Sequence, residues 1–511
     1  MSFKSNYSVS ERFRHVILAI VSGAVLALAM PKPGIWLTSW VGLVPLFIAI
    51  RGARPGRAAA AGMIAGLVYY GIILQYVGLF GYLPFVLLVV YQAVYFAVFA
   101  VLCLRLSPAR IGLWGYAAIP AAWVVVQYVR TLGMYAFTWG AFSHTQANNL
   151  VVAQIGSITG PWGIDFLVCF VNLALASALA SNGERRVKPL VIAASLVVAA
   201  SLFGVFSMRS VPPTERTARV AVIQGNMVNH FHPVPNYLTK AYQTYTRLSV
   251  QASKARPDLI VWPETTLPTD ITSPGAADFI GATAKQVHTT VLAGGYDPSD
   301  DITVYGSYNA LFMFDKLGKQ VGAYHKVRLV PFGEFVPLRD QLPFLANYGI
   351  RAEDVVAARR HALLDSPIGK IGVSICFESV FPQVARVETR DGAVLLVVVT
   401  NDAWLGKTQA GRQHMMMAKL RAIENGRYVL RAASTGISTV IDPCGRTRRE
   451  IGLYRQGTIA ETVACASRVT LYTRLGDWFA YACVALTLAC LAVPNPALPK
   501  KSSRAKRRRG I

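Results

Sequence analysis

Seven apolar runs crowd the N-terminal part of this chain, and an eighth stands close to its end. They fall at about Val16–Met30, Ile35–Ile50, Ala58–Phe80, Leu83–Leu104, Ile111–Val129, Ile164–Ala180, Leu190–Phe206 and Trp478–Val493. Crossing a bilayer takes roughly 20 apolar residues. Inside lipid each backbone N–H must find a partner within its own segment, which favours helices. Several runs are short but extend at their ends, so about eight transmembrane helices are expected, forming an α-helical membrane bundle. Composition agrees: 53% of residues are hydrophobic and 15% are charged, whereas a soluble chain carries about 25% charged residues. Basic residues precede the first run, as in a signal peptide. Further spans follow at once without a small-residue cleavage site, so an uncleaved first span is expected.

Loop charges orient the bundle. With Lys4, Arg12 and Arg14 inside, the segments after spans two, four and six carry Arg51, Arg54 and Arg57, then Arg105 and Arg110, then Arg185, Arg186 and Lys188. The tail adds Lys500, Lys501, Arg504, Lys506, Arg507, Arg508 and Arg509. Cytoplasmic loops carry such an excess, and anionic lipid attracts it. The formal net charge of +25 therefore reads as topology signal. The basic residues form no DNA- or RNA-reading module, so no nucleic-acid partner is expected. Residues 1–210 are expected to hold helices one to seven, 218–466 an extracytoplasmic domain, 472–495 helix eight and 496–511 a basic cytoplasmic tail. In a Gram-negative cell this is the inner membrane, with the domain on the periplasmic side.

The external segment alternates strand-like and helix-like stretches. Strands are expected at Val220–Gln224, Leu259–Trp262, Val291–Gly294, Ala310–Phe314, Ile371–Cys376, Val394–Thr400 and Ile437–Ile441, with helices at Leu238–Ala255, Ala276–His288 and Gln413–Gly426. Near-continuous Val/Ile/Leu runs between helices point to an α/β sheet covered on both faces. Seven cysteines occur without CxxC or metal-ligand spacing, so neither metal nor cofactor is expected. Cys103, Cys169, Cys483 and Cys490 sit in apolar runs as small buried side chains. Whether Cys444 and Cys465 pair is left open.

Three segments gather reactive residue types just after apolar strands, where α/β sheets bind ligands. They are Leu259-Ile260-Val261-Trp262-Pro263-Glu264, then Tyr324-His325-Lys326 leading to Pro331-Phe332-Gly333-Glu334, then Gly372-Val373-Ser374-Ile375-Cys376-Phe377-Glu378. A carboxylate, an ammonium and a thiol suffice for acyl transfer. A thiol of pKa ~8.5 needs a base to take its proton, and a partly buried carboxylate such as Glu264 serves. Lys326 can steady the oxyanion, a contribution of about 10²–10³ in rate. Taken singly, each has a plainer reading, as a core thiol, a loop carboxylate and a surface lysine.

Their order and context resemble the nitrilase superfamily, whose Glu–Lys–Cys triad runs in this sequence. The segment VAVIQGN, the run HKVRLVPFGEFVPL and TNDAWLGKTQAGRQHMMMAKLRAIENGRYVLRAASTGIST narrow the resemblance to the apolipoprotein N-acyltransferase family. That family sets a nitrilase-type αββα sandwich between its seventh and eighth transmembrane helices. The resemblance implies Glu264 as general base, Lys326 as oxyanion stabiliser and Cys376 as nucleophile, with Glu334 and Glu378 as supporting acids. Glu334 could orient Lys326; for Glu378 a structural and a direct role stand level. Departures are Phe377 where many members have Tyr, Leu405 where Phe is usual, and no Trp after Gln224-Gly225-Asn226.

The family implies a ping-pong transfer by a single subunit. Cys376 takes an acyl chain from a membrane phospholipid, with phosphatidylethanolamine expected, and hands it to the amino group of a diacylated apolipoprotein. A tethered amidohydrolase of soluble substrates would not need eight spans, and a scaffold that only binds lipoprotein would not need the triad. The loop Thr131–Pro161, with Trp139, Phe142 and His144 and Trp162 just beyond, is a candidate lid, although ordinary membrane-interface aromatics explain it more simply. Phe344 to Tyr348 is a second candidate arm.

Overall fold

The computed structural model describes residues 9–180, 184–209, 216–228, 236–299, 306–348 and 355–494. The tail 496–511 and part of the loop after Phe344–Tyr348 lie outside these residues. The first part is helical: α1 (Val9–Ala27), α2 (Val44–Ile50), α3 (Pro55–Ile73), α4 (Tyr82–Arg105), α5 (Trp114–Val129), α6 (Pro161–Leu179) and α7 (Glu184–Arg209). Among the described residues, four helices are long and apolar enough to cross a membrane: Pro55–Ile73, Tyr82–Ile111, Pro161–Leu179 and Val187–Arg209. Shorter apolar helices cover Phe13–Ala27, Trp36–Ile50, Leu150–Thr159 and Trp478–Ala492.

The second apolar run is not one continuous α-helix. A 3₁₀ turn at Trp36–Trp40 is followed by α2, which has 7 residues and Pro45 in its first turn. Proline lacks the N–H that would bond backward and clashes with a preceding helical turn, so the run breaks before it. At 1.5 Å per residue α2 is about 10 Å long, well short of the roughly 30 Å hydrocarbon core. Tighter packing holds α3 on α4. A Cβ on Gly62 would lie 2.4 Å from the Phe96 carbonyl oxygen, and one on Gly66 2.7 Å from Ala93 Cα. Only glycine at this four-residue spacing lets the backbones touch, and close dispersion contact is what joins helices in lipid.

The second part is a two-sheet sandwich. One sheet has the order β12-β1-β2-β3-β4-β5, from β1 (Thr217–Gln224), β2 (Leu259–Val261), β3 (Thr290–Pro298), β4 (Ser307–Phe314), β5 (Gln320–His325) and β12 (Gly457–Ala464). The other has the order β11-β10-β9-β8-β7-β6, from β6 (Leu364–Ser366), β7 (Gly369–Ile375), β8 (Leu395–Thr400), β9 (Val429–Ala433), β10 (Ser438–Ile441) and β11 (Thr447–Ile451). β1, β2 and β3 run parallel, as do β7, β8 and β9, while the flanking strands are antiparallel. Parallel strands need both faces covered. Val222, Val261 and Leu292 meet Val373, Val397 and Leu430 in the dry layer between the sheets. Each such side chain, fully buried, contributes about 1.5–3 kcal/mol. Helices α8 (Tyr237–Ser253) and α9 (Ala276–Val287) cover the outer face of the first sheet through Tyr245, Ile280 and Ala284. Helices α10 (Pro382–Arg390) and α11 (Ala410–Asn425) cover the second through Ala385, Ala418 and Ala422. The last described helix is α12 (Trp478–Ala492), which packs on α5.

Bundle and sandwich share one core. Phe377, Val380, Phe381, Val384 and Met417 of the sandwich lie in the same apolar cluster as Tyr69, Phe96 and Trp123 of the bundle. Polar clasps cross the junction: Trp139 Nε1 donates to Gln413 Oε1 at 2.5 Å, Thr138 Oγ1 to the Val380 carbonyl at 3.1 Å, and Trp162 Nε1 to Asp477 Oδ1 at 2.7 Å. The loop Thr131–Pro161 is thus mostly interior. Trp139, Phe142, His144 and Trp162 are buried, and Phe142 stacks on Trp123. A lid made of these aromatics would have to abandon their packing, and they are too deep to form an interfacial belt. Only Leu132, Met134 and Tyr135 of this loop are exposed large apolar side chains. Phe344 in the second candidate arm is exposed, within a 3₁₀ turn at Pro343–Tyr348.

Candidate active site

Glu264 follows β2 and is 5% exposed. Its Oε1 accepts from Asn309 Nδ2 at 2.8 Å and its Oε2 from the Asn401 N–H at 2.6 Å. Gly294 of β3 lies directly behind it: a Cβ there would come within 2.6 Å of the Pro263 carbonyl and the Thr265 N–H. That contact is why β3 carries glycine at position 294.

Lys326 follows β5, its N–H bonded to the Asn309 carbonyl and its own carbonyl to the Ala358 N–H, both at 2.9 Å. Its Nζ stands 2.8 Å from Glu334 Oε1 and 3.5 Å from Glu264 Oε1. The PFGE turn folds back so that the Val330 N–H donates to Glu334 Oε2 at 2.9 Å. Asn309 Nδ2 also reaches Glu334 Oε1 at 3.0 Å, so one ammonium and one amide bridge two carboxylates.

Cys376 starts a 3₁₀ turn at the end of β7 with φ 52°. A non-glycine residue in this region costs about 1–3 kcal/mol, and such strain clusters at functional sites. The thiol is half-buried and interacts electrostatically with Glu264, Lys326 and Asp402. From the bundle, Tyr76 comes within electrostatic range of it. The three residues singled out from the sequence thus share one buried pocket at the foot of the bundle.

The charges in this pocket are interdependent. Burial pushes the Glu264 carboxyl above the usual carboxylate range, Lys326 opposes the shift and Glu334 adds to it. Burial would depress Lys326, but Glu334, Glu264 and Cys376 outweigh it and raise its pKa, so it stays an ammonium. Burial pushes the Cys376 thiol well up, Glu264 adds to that and Lys326 opposes it. The resting site therefore holds a neutral thiol beside a carboxylate more basic than usual and a fixed cation.

Glu378 is fully buried and holds the pocket's walls. Its Oε1 accepts from the N–H groups of Val327 at 2.8 Å and Arg328 at 3.1 Å, and its Oε2 from the Ile375 N–H at 2.8 Å. Tyr324 Oη donates to both oxygens at 3.1 and 3.0 Å. One carboxyl ties the lysine loop to the strand that leads to Cys376. Burial lifts its pKa to about 7 against these N–H donors and Lys326.

A polar network beneath Cys376 was not singled out from the sequence. His414 Nε2 lies 2.8 Å from Ser379 Oγ and 3.2 Å from the Cys376 carbonyl, and its Nδ1 3.2 Å from Asp402 Oδ1. Asp402 takes a 2.5 Å bond from Arg431 Nη2. Burial opposes its charge, but Arg431 and His414 prevail and hold its carboxyl below the usual range. The aspartate and histidine were visible in NDAW and GRQHM, but nothing local says that they meet. Phe377 packs edge-on against Phe381 at 5.1 Å and near Phe137 at 6.2 Å, an apolar setting for the position that often carries Tyr. Leu405 packs against the shared core. Cys444 and Cys465 are both free. Among the described residues no group of His, Cys, Asp and Glu could hold a metal ion.

Comparison with known proteins completes the picture. The carbon-nitrogen hydrolase family matches residues 219–469, and the apolipoprotein N-acyltransferase N-terminal domain matches residues 22–174. The apolipoprotein N-acyltransferase of Geobacter metallireducens is 34% identical over 92% of this chain and 94% of its own length. Those of Gloeobacter violaceus and Methylococcus capsulatus are 32% and 31% identical, each over 93% of this chain and over 92% and 96% of their own. Among solved structures, Saccharomyces cerevisiae Nit3, of the nitrilase superfamily, aligns over 49% of this chain and 91% of its own with 21% identity and a TM-score of 0.39. With full-length relatives at this identity and both halves matched, the chain belongs to the apolipoprotein N-acyltransferase family of enzymes.

Proposed function

We propose that this acyltransferase moves an acyl chain from a membrane phospholipid to the N-terminal amine of a diacylated apolipoprotein, through a thioester on Cys376. The observation that carries the reading is the buried Glu264–Lys326–Cys376 pocket in a core continuous with apolar helices. Both substrates are lipid-anchored, so chemistry at the foot of a membrane bundle suits them. On this reading residues 1–210 and 472–495 form an eight-helix bundle in the bacterial inner membrane, 218–466 lie on the periplasmic side, and 496–511 return to the cytoplasm.

In the first half-reaction, sulfur of Cys376 attacks the ester carbonyl while its proton passes to Glu264. Lys326, held by Glu334, faces the oxyanion. Collapse breaks the carbon–oxygen bond, Glu264 returns the proton to the departing alkoxide, and a lysophospholipid leaves. In the second, the acceptor amine, with an ordinary pKa of ~7.7–8.0, attacks the thioester. Its proton goes to Glu264, the carbon–sulfur bond breaks, and the thiolate is reprotonated. Glu264 is the base, Lys326 the oxyanion donor, Glu334 and Glu378 supports.

Mass spectrometry of the purified protein in phosphatidylethanolamine tests this. An acyl adduct on Cys376 is expected, cleared by a diacylated lipopeptide with formation of a triacylated product. Absence of the adduct, or undiminished transfer by Cys376→Ser, overturns the reading.

A further inference from the structure

Two residues beyond Lys326, Arg328 stands at the rim of the site, and among the described residues no carboxylate forms an ion pair with it. Its guanidinium lies 4.3 Å over the Phe381 ring. Its one side-chain hydrogen bond among the described residues runs 3.4 Å from Nη1 to the Thr131 carbonyl, with His361 and Glu378 in electrostatic range. No described carboxylate pairs with it within ion-pair distance, although it is largely surrounded by protein and burial lowers its pKa, with Glu378 opposing. A partly desolvated guanidinium has five donors in a planar fork, and leaving most of them unused is costly unless a ligand takes them.

Its surroundings are amphipathic in the way a lipid is. Its backbone N–H is anchored on Glu378, which also holds the Ile375 N–H one residue before the nucleophile. Beneath the guanidinium, Phe381 leads through Phe377 to Cys376. On its other side Thr131 follows the end of α5, and next along the chain come Leu132, 52% exposed, Met134, 55%, and Tyr135, 40%. One unpaired cation thus stands between the thiol and an exposed apolar loop at the end of a bundle helix. Phospholipid has the complementary order: acyl chain, ester, glycerol, phosphate. The acceptor lipopeptide's diacylglyceryl group carries no phosphate.

We propose that Arg328 binds the phosphodiester of the donor lipid, seating the adjacent ester over Cys376. Arginine meets phosphate bidentately, while the aromatic face keeps the guanidinium flat and oriented. This inference rests on the phospholipid donor named above.

The test measures the rate of Cys376 acylation by mass spectrometry, without acceptor, using phosphatidylethanolamine, phosphatidylglycerol and diacylglycerol at equal bilayer mole fraction. In Arg328→Ala, the rate ratio of each phospholipid to diacylglycerol is expected to fall about 10- to 100-fold relative to wild type, the scale of a lost charged hydrogen bond. Arg328→Lys should recover part of that ratio. A merely structural arginine would slow all three donors alike and leave the ratios unchanged, which overturns the proposal. A fall for phosphatidylethanolamine alone also overturns it, because the head group would then be what is read. If wild-type protein takes no chain from any donor, the donor reading itself fails, a result separable from the others.

Discussion

Glu264 and Glu378 are two buried carboxylates beside one thiol, yet they are built on opposite plans. Glu264 spends its oxygens on an Asn309 amide and one N–H, and it keeps a charged neighbour, Lys326, at 3.5 Å. Glu378 is saturated by three backbone N–H groups and Tyr324 Oη. Both are raised by burial. The first faces the ammonium and the thiol that the proposed acyl transfer would use. The second faces donors that never change and that belong to the two segments carrying Lys326 and Cys376. Raised carboxyls alone do not mark the base; what the oxygens face does.

Breaking the first plan should cost chemistry. Glu264→Gln keeps shape and removes the proton acceptor, so acylation of Cys376 is expected to fall about 10²–10⁴-fold, the usual contribution of a general base. Lys326→Met should lower the acylation rate about 10²–10³-fold. It should also destabilise the fold by about 3–5 kcal/mol, because Glu264 and Glu334 lose the buried cation between them; acyl-transfer rates and thermal unfolding separate the two effects. Breaking the second plan should cost structure. Glu378→Gln turns an NH₂ toward backbone donors that need an acceptor, a loss of about 1–3 kcal/mol visible in thermal unfolding, with activity falling as the site loosens.

The two carboxyls also differ in pH behaviour. Glu264 must be ionised to take the proton, so acylation should decline as pH falls through a pKa above the ordinary ~4.3. Glu378, lifted to about 7 in the fold, binds its proton more tightly there than in the unfolded chain. Its contribution is fully present at low pH and is lost as pH rises from the unfolded pKa toward about 7. Comparing wild type with Glu378→Gln across that window should show the difference shrinking as pH rises. Smallest of all, reductant should leave the melting temperature unchanged, since Cys444 and Cys465 are free. A clear drop would mean that they pair.

What the sequence reveals follows from where information is local. Glu264, Lys326 and Cys376 end apolar strands, so each announces a strand terminus and a reactive group together. β7, β8 and the two helices over the first sheet show in their Val/Ile/Leu runs or helical spacing. β9 was hidden because Arg431 interrupts it; the arginine is tolerated only because Asp402 and the Ile437 carbonyl reach it from elsewhere. β11, as Thr447–Ile451, and β12 were hidden because edge strands carry polar faces. Asn309, Asn401 and His414 gave no sign, since their partners are distant in sequence. The loop Thr131–Pro161 read as a candidate lid because its aromatics suit a membrane surface. Its burial depends on the sandwich supplying Gln413 and Val380 as partners.

The central claim is that Glu264 moves the proton while Glu378 holds the frame. Acylation of Cys376 and thermal unfolding, measured on the same preparations of Glu264→Gln and Glu378→Gln, test it most directly. The account expects Glu264→Gln to lose acylation far out of proportion to any fall in melting temperature, and Glu378→Gln to lose stability and activity together. Full acylation in Glu264→Gln, or a Glu378→Gln protein as stable as wild type but unable to form the adduct, would contradict it.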